Sequence, residues 1–196
     1  MALKVVVFDV GETLIDETHA WERLADDARV PRFTLMGLVG GLAARGESHE
    51  RAWELLGVVP HADPGSPGGS DFYRDAIPCL GALRSEGYRL GAAGNMPESF
   101  EQALRARVDF TGSSRRWGVA KPDPAFFARL VEEAGEPPEQ IAYVGDRVDN
   151  DVVPALAAGM VAVHVKRGPW GYLHEPPEGA LQVASLAELP EALRGA

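Results

Sequence analysis

KVVVFDVGETL, residues 4–14, sets three β-branched apolar residues, Val5, Val6 and Val7, ahead of Phe8 and a single carboxylate, Asp9. Gly11, Glu12 and Thr13 follow at once. A short unbroken apolar run bounded by turn residues fits a strand buried in a parallel sheet. Asp9 then stands at the strand's carboxyl end, where open α/β sheets place their ligand crevice. An acid in that position is costly to bury unless it is paired or binds a metal. It equally fits a plain capping role for the next turn, which Asp often fills. The stretch by itself leaves both readings open.

The bulk properties narrow the class. With 196 residues, 45% of them hydrophobic, the chain is long enough for one domain or one domain with a modest insertion. A formal net charge of -10 argues against a sequence-independent grip on nucleic acid, which needs a basic face. The single cysteine, Cys79, excludes an intramolecular disulfide and a multi-cysteine metal site, and it fits a reducing compartment. The apolar run after Lys4 is too brief for a signal peptide. No run approaches the roughly 20 apolar residues of a membrane span. A cytoplasmic setting is expected, without nucleic-acid or membrane partners.

Beyond Ile15 the pattern turns helical. His19–Val30, Thr34–Arg45 and Glu47–Leu56 carry apolar residues at helical spacing, and residues 60–70 are rich in proline and glycine. Residues 16–72 thus read as a helical insertion without strand signals. Its Gly37, Gly40 and Gly41 are not a phosphate loop, because no strand precedes them and no Lys-Ser/Thr follows. From residue 76 strands and helices alternate. Helices are expected at 76–85, 100–107, 124–134, from Asn150 or Asp151 to Ala158, and at 186–193. Strands are expected at 88–93, 108–111, 141–144, 161–165 and 181–184. Alternation of this kind implies βαβ units and a doubly wound parallel α/β sheet.

In such a sheet the strand ends at Asp9, Gly94-Asn95, Ser113-Ser114 and Asp146 open onto one edge. Asp149, Asn150 and Asp151 follow Asp146, so acids collect there. Clustered carboxylates repel unless a cation balances them. Hard oxygen donors without neighbouring histidines favour Mg²⁺. Lys121, in the loop Gly118–Asp123, supplies a positive charge to the same edge. An acid nucleophile, a divalent ion and a lysine are the electrostatics of phosphoryl transfer.

These residues resemble, in order and across almost the whole chain, the four motifs of the haloacid dehalogenase-like (HAD) hydrolase superfamily. Asp9–Leu14 is similar to the first motif, Gly94-Asn95 lies at the second, Lys121-Pro122-Asp123-Pro124 matches the third, and Gly145-Asp146 with Asn150-Asp151 matches the fourth. The resemblance implies a Rossmann-like core, residues 1–15 and 73–196, with a small helical cap, residues 16–72. It implies a phosphatase acting on a small phosphorylated metabolite, with Asp9 as nucleophile through an aspartyl-phosphate. It further implies Mg²⁺ held by Asp9, the Gly11 carbonyl, Asp146 and Asp151, with Lys121 neutralising charge and Gly94 and Asn95 near the phosphate.

Two residues depart from the family pattern. Gly11 stands where the phosphatases carry a second aspartate as general acid, a group that contributes about 10²–10⁴-fold. Glu12 is the candidate substitute. Gly94 replaces the hydroxyl residue of the second motif. The missing second aspartate also resembles the metal-free 2-haloacid dehalogenases, for which Arg32 and Arg45 of the insertion would be carboxylate or halide contacts. A degenerate member that only binds a ligand or protein is a third reading. Among the remaining residues, His19, His49 and His61 are expected at solvent or capping positions, Trp21 and Trp53 in the insertion's core, and Arg115 and Arg116 on a solvated turn. Trp170 is a candidate bordering residue of the site.

Overall fold

In the computed structural model, residues 2–61 and 65–195 are described. The first strand, β1 (Val5–Phe8), is buried along its whole length. Its side chains alternate between two cores, as a period of two requires. Val6 and Phe8 pack on one side of the sheet with Cys79, Leu80 and Leu83. Val5 and Val7 pack on the other with Phe126, Phe127 and Leu130.

Three helices follow: α1 (Thr18–Asp27), α2 (Arg32–Ala43) and α3 (Arg51–Leu56). They carry a smaller core of their own, Ala25, Leu35, Val39, Leu42, Ala43 and Ala52, which also takes in Trp170 from the far end of the chain. The expected loop over residues 60–70 ends in a 3₁₀ turn at Gly69–Asp71, and its residues 62–64 lie outside the described residues.

The remaining order is α4 (Ala76–Ser85), β2 (Arg89–Gly94), α5 (Glu98–Leu104), β3 (Phe110–Ser113), α6 (Ser114–Trp117), α7 (Pro124–Ala134), β4 (Ile141–Gly145), α8 (Val153–Ala157), β5 (Val161–Val165), α9 (Gly168–Leu173), β6 (Leu181–Val183) and α10 (Leu189–Arg194). The six strands form one sheet in the order β3-β2-β1-β4-β5-β6, with every pairing parallel. β1 lies centrally, and the strand order reverses beside it, so its carboxyl end faces a topological switch point. The fold class is the doubly wound parallel α/β sheet expected from the alternation.

Local chemistry sets several boundaries. Asp123 caps α7 by accepting from the Ala125 N–H at 2.9 Å, and Pro124 occupies the first turn. Two short helices escape the sequence pattern. α6 replaces the expected solvated turn, because Ser113 accepts from the Arg116 N–H and starts a helix there. α9 lies in Gly168–Leu173, where the Gly-Pro composition reads as a turn although proline is tolerated at a helix start. The helix expected from Asn150 or Asp151 begins instead at Val153. A π-type turn, Val148–Val152, precedes it, a geometry frequent at functional sites.

Candidate active site

Four chain segments bring the site together at the carboxyl ends of β1, β2 and β4. Asp9 follows β1, and its N–H donates to the Val144 carbonyl at 2.8 Å, which fixes it beside β4. Lys121 arrives from the loop before α7. Its Nζ donates to Asp9 Oδ1 at 2.7 Å and to Asp151 Oδ1 at 2.5 Å. The ammonium is buried, with Asp151 fully so. Burial acts against its charge, but Asp151 and Asp9 outweigh it and hold the ammonium well above the usual lysine range.

Asn95 does not present its amide to the cleft as a free donor. Its Nδ2 donates to the Lys121 carbonyl at 2.9 Å, and its Oδ1 accepts from the Lys121 N–H at 2.8 Å. This two-point clamp holds the backbone that carries the ammonium. The neighbouring Gly94 has a steric reason. A Cβ there would lie 2.4 Å from Asp9 Oδ1, so the loss of a hydroxyl residue is the condition for Asp9 to sit where it does.

Asp9, Asp146 and Asp151 each offer a carboxylate oxygen, all within 4.8 Å of one another. Asp146 is buried, and desolvation followed by repulsion from Asp151 and Asp9 raises its carboxyl well above the usual range. Asp151 is pushed up to about 6, chiefly by burial, although Lys121 pulls it down. Three crowded carboxylates against one ammonium are short of positive charge. An oxygen-only set of this kind fits a hard divalent cation. The π-type turn aims Asp151 inward, since its Oδ2 accepts the Arg147 N–H at 3.0 Å while Oδ1 meets Lys121.

Glu12 is placed away from the role expected for it. Its backbone takes φ 49, a left-handed conformation uncommon outside glycine. Both carboxylate oxygens are engaged: Oε1 accepts the Glu17 N–H at 2.9 Å, and Oε2 accepts the Tyr73 hydroxyl at 2.6 Å. Glu12 therefore ties the start of the helical insertion to the core. The carboxyl that fills the space above Gly11 belongs to Glu17. A Cβ on residue 11 would come within 2.4 Å of Glu17 Oε1. Burial, with Glu12 and Asp9 adding repulsion, pushes the Glu17 carboxyl up to about 7. Its position depends on the chain turning back after Ile15, so no local signal in the sequence marks it.

The site opens into a cleft of about 900 Å³ between the sheet edge and the helical insertion. Trp21 and Trp53 line it, as do Trp170 and His49. Trp21 and Trp53 pack on the insertion's core, as expected, and they also face the cleft. His49 is neither a cap nor a solvent group. Its ring meets Trp21 edge-on at 5.4 Å and Trp170 at 5.9 Å. His19 is exposed and paired with Asp71 at 2.9 Å.

Other residues lie elsewhere. Arg116 is exposed, as expected, but it is also paired: with Ser113 and Thr111 it binds buried Glu101, which takes Ser113 out of the sheet edge's chemistry. Arg32 pairs with Asp26 at 2.6 Å and Arg45 with Glu47 at 2.5 Å, neither of them lining the cleft. The cationic contacts that a 2-haloacid site would draw from these two residues are absent from the cleft.

Comparison with known proteins agrees with this geometry. Residues 33–159 match the family described as haloacid dehalogenase-like hydrolase. The chain is 31% identical to a glyceraldehyde 3-phosphate phosphatase of Methanopyrus kandleri, over 86% of this chain and 86% of that protein. It is 32% identical to a phosphoglycolate phosphatase of Rhodospirillum rubrum, over 95% of this chain and 85% of the relative. Its fold is similar to that of the L-2-haloacid dehalogenase from Xanthobacter autotrophicus, with a TM-score of 0.69 at 20% identity over 98% of this chain and 99% of that one. Among the described residues no helix is long and apolar enough to cross a membrane. The chain belongs to the haloacid dehalogenase-like family and is a hydrolase.

Proposed function

We propose that this hydrolase is a Mg²⁺-dependent phosphatase that cleaves a small phosphorylated metabolite through an aspartyl-phosphate on Asp9. The observation that carries the reading is the juxtaposition of Asp9 with Lys121 at 2.7 Å, beside Asp146 and Asp151, at the floor of an open cleft. Phosphatase relatives at about 30% identity support the same class of reaction. Residues 1–15 and 73–196 form the catalytic core in this reading, and residues 16–72 the cap.

Asp9, Asp146 and Asp151, with the Gly11 carbonyl, would hold Mg²⁺, which when bound supplies charge neutralisation for the transferring group. An Asp9 carboxylate oxygen attacks phosphorus, and the bond from phosphorus to the ester oxygen breaks. Lys121 offsets negative charge on Asp9 and the phosphoryl oxygens. The Asn95 clamp keeps the ammonium in register. The leaving oxygen takes its proton from the Glu17 carboxyl, which stands over Gly11 in place of a side chain on residue 11. Water then attacks the phosphorus of the aspartyl-phosphate, gives its proton to Glu17, and releases inorganic phosphate with Asp9 restored.

The test is phosphate release from 4-nitrophenyl phosphate with and without Mg²⁺. Turnover that needs Mg²⁺ and is lost in Asp9→Asn is expected. Halide release from a 2-haloacid without metal would replace this reading with the dehalogenase one.

A further inference from the structure

The cleft is built for more than a phosphate. At about 900 Å³ it is near the upper end for small-molecule sites, and far larger than a two- or three-carbon phosphate needs. Its upper wall is aromatic. Trp21 and Trp53 stack with centroids 6.5 Å apart and planes 17° apart, and His49 bridges from Trp21 to Trp170. Burial, then the nearby Arg147, lowers the His49 pKa, so its ring is neutral at pH 7 and belongs to the apolar wall. Met96 and Phe100 continue that wall from the core side.

The charge on the lining points the same way. Among the described residues that line the cleft, seven carboxylates face two cations. Both cations are engaged: Lys121 with Asp9 and Asp151, and Arg147 with Asp149 at 2.7 Å. Arg147 also lies over the Trp170 ring at 4.8 Å. A substrate with a second anionic group, such as a carboxylate beside its phosphate, would meet acids and no cation to receive it. A flat uncharged ring would meet indole and imidazole surfaces, which bind rings by stacking or edge contact.

We propose that the cleft selects phosphate monoesters whose leaving group is uncharged and carries an aromatic ring, held against Trp21, Trp53 and His49. This inference rests on the phosphatase reading and narrows its substrate class.

The test separates ring recognition from leaving-group reactivity by pairing esters of similar alcohols. kcat/KM is measured with Mg²⁺ for benzyl phosphate against ethyl phosphate, and for adenosine 5′-phosphate against ribose 5-phosphate, with phosphoglycolate as the anionic comparison. At about 2- to 10-fold per aromatic contact, at least one ring-bearing ester should exceed its ring-free partner by about 10-fold or more, chiefly through KM. Phosphoglycolate should be poorer than that ester. Which pair responds tells a simple ring from a nucleoside. In Trp21→Leu the ratio should fall to within about 2-fold; the wild-type ratio decides the matter if that variant does not fold.

Hydrolysis of all esters without ring preference, or preference for phosphoglycolate, overturns the inference and leaves the phosphatase reading standing. If no ester is hydrolysed, the phosphatase reading fails. Calorimetric titration with benzylphosphonate and ethylphosphonate then decides the ring preference. Binding at least 10-fold tighter to benzylphosphonate upholds it, and equal or absent binding overturns it.

Discussion

Replacing Asp146 with asparagine should make the metal-free protein more stable. The carboxylate oxygens of Asp9, Asp146 and Asp151 lie within 4.8 Å of one another. At that separation, with an effective dielectric constant of about 20, each pair of charges repels by about 3–4 kcal/mol. Lys121 bonds Asp9 and Asp151 and cancels part of this. The raised pKa of Asp146 has the matching sign, since burial and its two acidic neighbours disfavour its charged form in the fold. A neutral side chain of the same shape removes that cost, and the net gain is about 1–3 kcal/mol. Urea unfolding followed by tryptophan fluorescence in EDTA should show a midpoint higher by about 0.3–1 M, for a slope near 3 kcal/mol per molar. Adding Mg²⁺ should reverse the order. A ligand at 1,000 times its Kd stabilises by about 4.1 kcal/mol, more than the variant's advantage, and this gain is open to the wild type and largely lost without Asp146. A variant no more stable than wild type in EDTA, or equally stabilised by Mg²⁺, would refute the account of a cation-binding cluster.

Further outcomes follow from the same geometry. In Glu17→Gln the phosphorylation of Asp9, followed in a single turnover, should slow by about 10²-fold or more with alkyl phosphates and only slightly with 4-nitrophenyl phosphate, whose leaving group needs no proton; equal losses in that step would remove Glu17 as the donor. Asn95→Ala should lower kcat by about 10- to 100-fold with a smaller change in KM, because the Lys121 backbone loses both clamp bonds. The Glu101 carboxyl is favoured in charged form by Ser113, Arg116 and Thr111 despite the opposing effect of burial. A lowered folded pKa means its contribution is complete above the unfolded value of 4.5 and is lost as pH falls through the lower folded value. Glu101→Gln should therefore cost about 2–4 kcal/mol at pH 7 and flatten the acid limb of a stability-against-pH curve.

What the sequence discloses follows from how local each cause is. Val5–Phe8 reads as a buried strand because every residue of it is apolar and both faces are covered. Asp9 and Asp146 read as site residues because strand ends in a doubly wound sheet share an edge, and Lys121 because its loop must reach that edge. The structure brings these together with Asp151 as the alternation implies. The steric setting of Gly94 is not legible in the sequence, since it comes from an Asp9 oxygen brought close by a neighbouring strand. Glu12 misleads through proximity in sequence: its left-handed backbone turns the carboxyl toward Tyr73, 61 residues on. Trp170 reads as a bordering residue and lines the cleft, whereas Glu17 and His49 gain their meaning only when the insertion folds back over the sheet. No periodicity or motif encodes that approach.

The central claim is that Asp9 is the nucleophile of a metal-assisted phosphatase. Its most direct test is phosphate release from 4-nitrophenyl phosphate by wild type and Asp9→Asn, each in Mg²⁺ and in EDTA. The account predicts turnover by wild type in Mg²⁺ alone, with the other three conditions at background. Undiminished turnover by Asp9→Asn would contradict it.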